Sequence, residues 1–162
     1  MLSVEQANDS GFIDHFNQYL AGGGTISHLN GISQNSLNTT YAIAYQKYQG
    51  GLYADALKYF QYLCLHHHWK QDYFLSLAAC QQMLGFYYQA VETYLHAAKL
   101  GPKNPMPLLY ICECYILMKN LKKARKALIQ ALEKESGNNI DRKELKRIEL
   151  LLLNSESQEV SP

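Results

Sequence analysis

A spacing of 34 residues recurs between three related segments of this chain and leaves few folds open to it. The segments are Gly51–Phe60 (GLYADALKYF), Gly85–Tyr94 (GFYYQAVETY) and Lys119–Leu128 (KNLKKARKAL). The sixth residue of each is alanine, and 34 residues separate Ala56 from Ala90 and Ala90 from Ala124. One such repeat is too short to bury a core alone, so neighbouring repeats must stack on it. The chain is therefore expected to fold as a stack of repeats.

The period of 34 residues is that of the tetratricopeptide repeat, a pair of helices whose pattern includes Leu-Gly, Tyr, Ala, an aromatic residue and Pro. The second repeat follows this pattern most closely, except that Gln81 stands where Tyr is usual. Its matching residues are Phe74, Leu77, Ala78, Gly85, Tyr87, Ala90, Tyr94, Ala97 and Pro102. We predict an all-α fold of three tetratricopeptide repeats.

The repeats are predicted to span residues 36–69, 70–104 and 105–134, which together form the segment 36–134. Predicted helices lie at 36–49, 53–66, 70–83, 87–100, 105–118 and 121–134. Small residues at Ala44, Ala78 and Cys112 let the first helix of each pair approach the second. Gly51 and Gly85 suit the turn between helices, where positive φ is often needed, and Lys119-Asn120 must take that place in the third repeat.

Two further segments flank the repeats. Residues 1–35 are expected to hold an amphipathic helix and a Gly-rich connector, and residues 135–153 a helix that caps the open end of the stack. The apolar face of the first helix consists of Phe12, Phe16, Tyr19 and Leu20. The polar residues 154–162 are predicted to be a disordered tail.

The first helix of each pair lines the concave side of such a stack, so its outward positions should face a ligand. These positions are Tyr41, Tyr45 and Tyr48, then Leu75, Ala79, Gln82 and Met83, then Leu109, Glu113, Ile116 and Leu117. They predict a groove that is apolar, carries aromatic hydroxyls and has little charge. An extended apolar peptide fits such a groove better than a carboxylate terminus does.

A simpler explanation of Tyr41, Tyr45 and Tyr48 is that they belong to the core, since aromatic residues at helical spacing are most often buried there. The repeat register favours ligand contact, because Ile43 and Ala44 are expected to fill the core-facing positions of the same helix.

Other candidate sites are weaker. Three consecutive histidines, His66 to His68, point about 100° apart on a helix and do not converge on one metal ion. The cysteines Cys64, Cys80, Cys112 and Cys114 lack zinc spacing and are expected to pack as small apolar residues. The run GGGT at 22–25 has no P-loop lysine after it. No nucleophile and base are paired, so we predict no catalysis, no metal and no cofactor.

The charge and the composition of the chain exclude some classes of partner and location. A net charge of +1 gives no broad field for nucleic acid. The amino-terminal residues lack the features of a secretory signal, and no apolar run is long enough to cross a bilayer, so a cytoplasmic location is expected.

Three stretches of the sequence resemble one family, the class II chaperones of bacterial type III secretion systems, which hold translocator proteins before export. They are Tyr19–Ser33 (YLAGGGTISHLNGIS), Tyr41–Cys64 (YAIAYQKYQGGLYADALKYFQYLC) and Tyr73–Gly85 (YFLSLAACQQMLG). The resemblance implies that an extended segment of a translocator binds among Tyr41, Tyr45, Tyr48, Leu75, Gln82 and Met83. It also implies a homodimer formed through the amino-terminal helix.

Two other functions stay open at this point. Some members of the family also bind an AraC-type transcription regulator, so co-activation is an alternative. A general repeat scaffold in an unrelated complex is another.

Overall fold

The computed structural model describes residues 4–134 and 142–159, and within these ranges the chain forms nine helices and no strand. The helices are α1 Val4–Ala21, α2 Ile26–Leu29, α3 Gln34–Gln49, α4 Tyr53–His66, α5 Gln71–Met83, α6 Tyr87–Leu100, α7 Met106–Leu117, α8 Leu121–Glu133 and α9 Arg142–Glu159. The predicted all-α fold is confirmed. None of the described helices combines the length and the apolar character needed to cross a bilayer.

Helices α3 to α8 form three consecutive pairs, and each helix packs against the next along the chain. Their bounds agree with the predicted repeat helices to within two residues. The small residues predicted at the contacts are all 0% exposed: Ala44, Ala56, Ala78, Ala90, Cys112 and Ala124. A larger side chain at any of these positions would separate the paired helices. The need for a small residue at each contact therefore explains why small residues recur at a fixed spacing in the sequence.

The turns inside the three pairs share one backbone conformation. Gly51 and Gly85 have φ of +76° and +79°, and Lys119 takes the same place in the third pair with φ of +56°. A side chain disfavours this region, so Lys119 is the strained version of the turn. The side chain of Asn120 accepts a hydrogen bond from the backbone N–H of Lys123 and caps α8.

The core is built from two apolar clusters that follow each other along the stack. The first lies around α3, α4 and one side of α5, and the second runs from α5 to α9. The four cysteines are buried free thiols, and burial raises the pKa of each to about 12. A thiol with so high a pKa is a poor nucleophile and a poor metal ligand, so these cysteines serve packing.

Helix α9 corrects one prediction at the carboxyl end. It runs to Glu159, so residues 154–159 are helical and not a disordered tail. No glycine or proline interrupts this stretch, and the hydroxyls of Ser155 and Ser157 donate to backbone carbonyls four residues earlier, so polar residues continue the helix. Residues 135–141 and 160–162, also included in the predicted capping helix and tail, lie outside the described residues.

Candidate functional site

A cavity of about 420 Å³ lies between α3, α5 and α7. It is bounded by Tyr48, Leu75, Ala79, Gln82, Met83, Tyr94, Tyr110, Glu113 and Arg147. Six of the residues that we predicted to face a ligand meet here, namely Tyr48, Leu75, Ala79, Gln82, Met83 and Glu113. We call this space the α3–α5–α7 cavity.

Several polar groups of the cavity are paired with one another. The buried hydroxyl of Tyr94 donates to Oε1 of Gln82 at 3.0 Å, and the Gln82 side chain also helps to lower the pKa of the Glu113 carboxyl. Arg147 of α9 donates to both carboxylate oxygens of Glu113, at 2.7 and 2.9 Å. Glu113 and Gln82 therefore contribute an ordered polar surface, and Leu75, Ala79 and Met83 contribute the apolar one.

Two opposing effects set the charge of Glu113. Burial by itself would raise the pKa of its carboxyl, but hydrogen bonds from Arg147 and Gln82 and the charge of Arg147 outweigh burial and lower it. Arg147 also pairs with Glu144 one turn earlier in α9. The carboxylate thus stays charged and fixes α9 beside the cavity.

The three predicted tyrosines divide into two groups. Tyr41 and Tyr45 stack on each other with ring centroids 6.3 Å apart, whereas Tyr48 packs edge-on against Tyr53 at 5.3 Å and lines the cavity. Burial, as the largest cause, raises the pKa of Tyr48.

The prediction that Ile43 lies in the core, which placed the tyrosines on the opposite face of α3, is wrong. Ile43, expected in the core, is 40% exposed, and the buried row of α3 contains Leu37 and Ala44. Tyr41 and Tyr48 continue this row at helical spacing and are partly buried against the first apolar cluster. Each of these two tyrosines therefore has a structural role as well as an exposed edge.

Leu109 and Ile116 are not available to a ligand as predicted, because they are 0% and 6% exposed. Helix α9 packs against α7 and α8, and its Ile148 and Leu152 join the same buried cluster. The side of α7 that we expected to face a ligand is therefore partly covered by α9. Tyr110, one position after Leu109, lines the cavity instead.

Sequence reasoning missed three lining residues. Tyr94 was recognised only as a repeat residue, although it extends from α6 into the cavity. Tyr110 could have been found by allowing the third repeat to rotate by one position. Arg147 lies outside the repeats, and no period could have placed it opposite Glu113.

The predicted dimer face on α1 is partly exposed. Phe12 is 71% exposed and stacks on Phe16 with ring centroids 6.3 Å apart. Tyr19 is engaged within its own chain, because its hydroxyl hydrogen-bonds to the backbone of Thr25 and its ring lies against Gly24. Leu20 is half-buried.

The three histidines face different aromatic partners. His66 contacts the ring of Tyr62, His67 that of Tyr73 and His68 that of Trp69. Over residues 4–134 and 142–159, no three side chains of His, Cys, Asp or Glu are grouped as metal ligands would be.

Comparison with known proteins assigns the family. No protein-family model matches the chain. The low calcium response locus protein H of Yersinia pestis is 39% identical over 115 residues, which are 71% of this chain and 68% of that protein. The type III secretion translocator chaperone SycD of Yersinia enterocolitica superimposes with a TM-score of 0.74 at 34% identity, covering 82% of this chain and 98% of SycD. This chain belongs to the type III secretion translocator chaperones.

Two structures of these translocator chaperones contain a bound segment. SycD in complex with a peptide of the translocator YopD has a TM-score of 0.71 at 30% identity and covers 79% of this chain and 98% of its own. PcrH of Pseudomonas aeruginosa, in complex with the chaperone binding region of PopD, has a TM-score of 0.71 at 29% identity and covers 80% and 97%. The resemblance seen in the sequence is thus confirmed.

Proposed function

We propose that this protein is a cytoplasmic chaperone that binds an extended segment of a type III secretion translocator in the α3–α5–α7 cavity. The observation that carries the proposal is that six separately predicted ligand-facing residues line one cavity in a chain of this family. Two relatives bound to translocator segments support it.

The cavity is chemically suited to an apolar anchor on an extended chain. Leu75, Ala79 and Met83 offer apolar surface, and transfer of apolar area from water is favourable by about 25 cal/mol per Å². The hydroxyl of Tyr48, protonated at neutral pH like any tyrosine, can donate to a carbonyl of the bound backbone. Binding alone would mask an aggregation-prone client, so the proposed function needs no catalysis, cofactor or metal.

Co-expression tests the proposal. We expect that a translocator from the same secretion system, insoluble when expressed alone, appears in the soluble fraction and co-purifies with this chain. Tyr48→Ala should reduce the recovered translocator because Tyr48 lines the cavity. Tyr88→Ala, which removes a ring that is 75% exposed on α6, should not.

A translocator that stays insoluble beside correctly folded chaperone would reject the proposal. Equal recovery with both tyrosine variants would move the client away from the cavity. The alternative of co-activating an AraC-type regulator gains no support from these relatives, whose names describe chaperones.

The proposal includes a homodimer formed through Phe12 and Phe16 on α1. Among the described residues, α1 packs extensively on no other helix, and the Phe12 ring that stacks on Phe16 is 71% exposed. Phe12→Asp should place a charge in the contact and shift the mass measured by light scattering from twice 18.5 kDa to 18.5 kDa. Gln18→Asp, an exposed polar position of the same helix, is the matched control. A dimer mass retained by Phe12→Asp would place the contact elsewhere.

A further inference from the structure

A second groove lies between α6 and α8. Two adjoining cavities of about 250 and 420 Å³ share Leu95, Leu108 and Gln130 and so form one continuous depression. Its α7 residues Leu108, Ile111 and Tyr115 are about half a helical turn away from Tyr110 and Glu113, which line the α3–α5–α7 cavity. The two grooves therefore use opposite faces of α7.

The lining of this second groove combines an apolar floor with lysines. Leu95, 40% exposed, and the partly exposed Tyr115 provide most of the apolar surface, and beneath them lie Ala98, Leu108, Ile111 and Ala127, each 8% exposed or less. The lysines are Lys99, Lys123, Lys126 and Lys134, and Glu133 is the one acidic residue of the lining. We call this depression the basic groove.

The segment that contributes these four lysines has a positive net charge. Residues 95–134 contain eight of the 15 Lys and Arg residues but two of the 14 Asp and Glu residues, and one of those two, Glu113, is bound to Arg147 on the other face of α7. No carboxylate in the described part of the chain lies within ion-pair distance of Lys99, Lys126 or Lys134. Lys123 lies over the ring of Tyr115.

The spacing of the α8 residues fits a helical partner. Lys123, Ala127 and Gln130 lie on one face of α8, and Lys134, the C-cap residue, follows on the same side. The distance from Lys123 to Lys134 is roughly 16 Å at 1.5 Å per residue. A helix of about three turns has the same length. Its apolar stripe would occupy the floor while its acidic flanks meet the lysines, and this complementarity would fix its orientation.

We infer that the basic groove between α6 and α8 binds an acidic amphipathic helix of a partner protein. Such a partner can bind while the α3–α5–α7 cavity is occupied, because the two sites share no lining residue. A nucleic acid fits the basic groove less well. It would place phosphates over an apolar floor, and the whole chain has a net charge of only +1.

The probe for this inference is a fluorescent peptide of 14 residues with leucines at i, i+4, i+7 and i+11 and glutamates on both flanks. We expect saturable binding in fluorescence anisotropy that weakens as salt is raised. The double variant Lys123→Glu with Lys126→Glu should bind at least tenfold more weakly. The control double variant, Lys103→Glu with Lys122→Glu, changes the net charge equally at exposed positions outside the groove and should stay within threefold of the original chain.

Two further measurements complete the test. A peptide of the same composition whose leucines are scattered around the helix should bind at least tenfold more weakly, and Ala79→Phe, which alters only the other cavity, should leave probe binding unchanged. Equal weakening by the two double variants, or equal binding of the scattered peptide, would show a diffuse charge effect and overturn the inference. Tighter binding of single-stranded DNA than of the probe would assign the surface to nucleic acid.

Discussion

Replacing Ala79 with phenylalanine is expected to reduce the affinity for a translocator segment by at least about 100-fold, or roughly 2.7 kcal/mol. Ala79 lies in the wall of the α3–α5–α7 cavity between Leu75 and Met83, and its methyl group leaves the space that an apolar anchor would fill. A phenylalanine ring at this position would occupy much of a cavity of about 420 Å³. Because anchors in well-packed pockets provide most of the binding energy, losing the pocket should remove most of the affinity.

The affinity is measured by titrating the chaperone with the translocator segment that it binds, followed by anisotropy or calorimetry. The stability is measured by thermal unfolding. Ala79 is only partly buried, so we expect a change in the free energy of unfolding of about 1 kcal/mol or less. Ala54→Phe adds the same ring at an exposed position of α4 outside the cavity and should leave the affinity unchanged. Full affinity in the Ala79→Phe variant would contradict the assignment of the site, while the family membership would stand.

The repeats could be predicted because one physical requirement recurs at a fixed interval. Wherever two helices of a pair cross closely, only a small side chain fits, and Ala56, Ala90 and Ala124 are found buried at these crossings. The turn residues follow the same logic, since positive φ selects Gly51 and Gly85 and leaves Lys119 as the exception.

The third repeat was harder to predict because its surroundings differ from those of the first two. Helix α9 covers one side of α7, so Leu109 and Ile116 are buried there. The ion pair between Arg147 and Glu113 joins residues 34 apart in sequence, but one of the two lies outside the repeat region. A repeat pattern specifies contacts inside the stack and is silent on the element that covers its end.

Ile43 shows a second reason why the sequence did not predict the whole site. Ile43 was expected in the core together with Ala44, but α3 is oriented so that Leu37 and Ala44 are buried and Ile43 is 40% exposed. With this orientation Tyr41 and Tyr48 lie at the edge of the core, where each can bury one side of its ring and expose the other. The sequence analysis treated each tyrosine as either a core residue or a ligand contact, whereas Tyr41 and Tyr48 can be both.

Tyr94→Ala is expected to produce the largest loss of stability, about 3–5 kcal/mol. The side chain is 2% exposed and packs in the second apolar cluster, with its ring 5.3 Å from that of Tyr110. Its hydroxyl donates to Gln82, so truncation removes a large buried ring and also leaves the amide oxygen of Gln82 without this donor. For a chain of this length the melting temperature should fall by roughly 6–20 °C.

Tyr94→Phe separates the two contributions, because it keeps the ring and removes only the hydrogen bond to Gln82. We expect it to cost about 0.5–1.5 kcal/mol in chemical denaturation, well below the cost of the alanine variant. Tyr88→Ala removes an exposed ring from the same helix and should change stability by about 0.5 kcal/mol or less. If Tyr94→Ala and Tyr88→Ala proved equally mild, α6 could not pack as described. If Tyr94→Phe were as damaging as Tyr94→Ala, the polar chain from Tyr94 through Gln82 to Glu113 would stabilise the fold more than the apolar packing of the ring does.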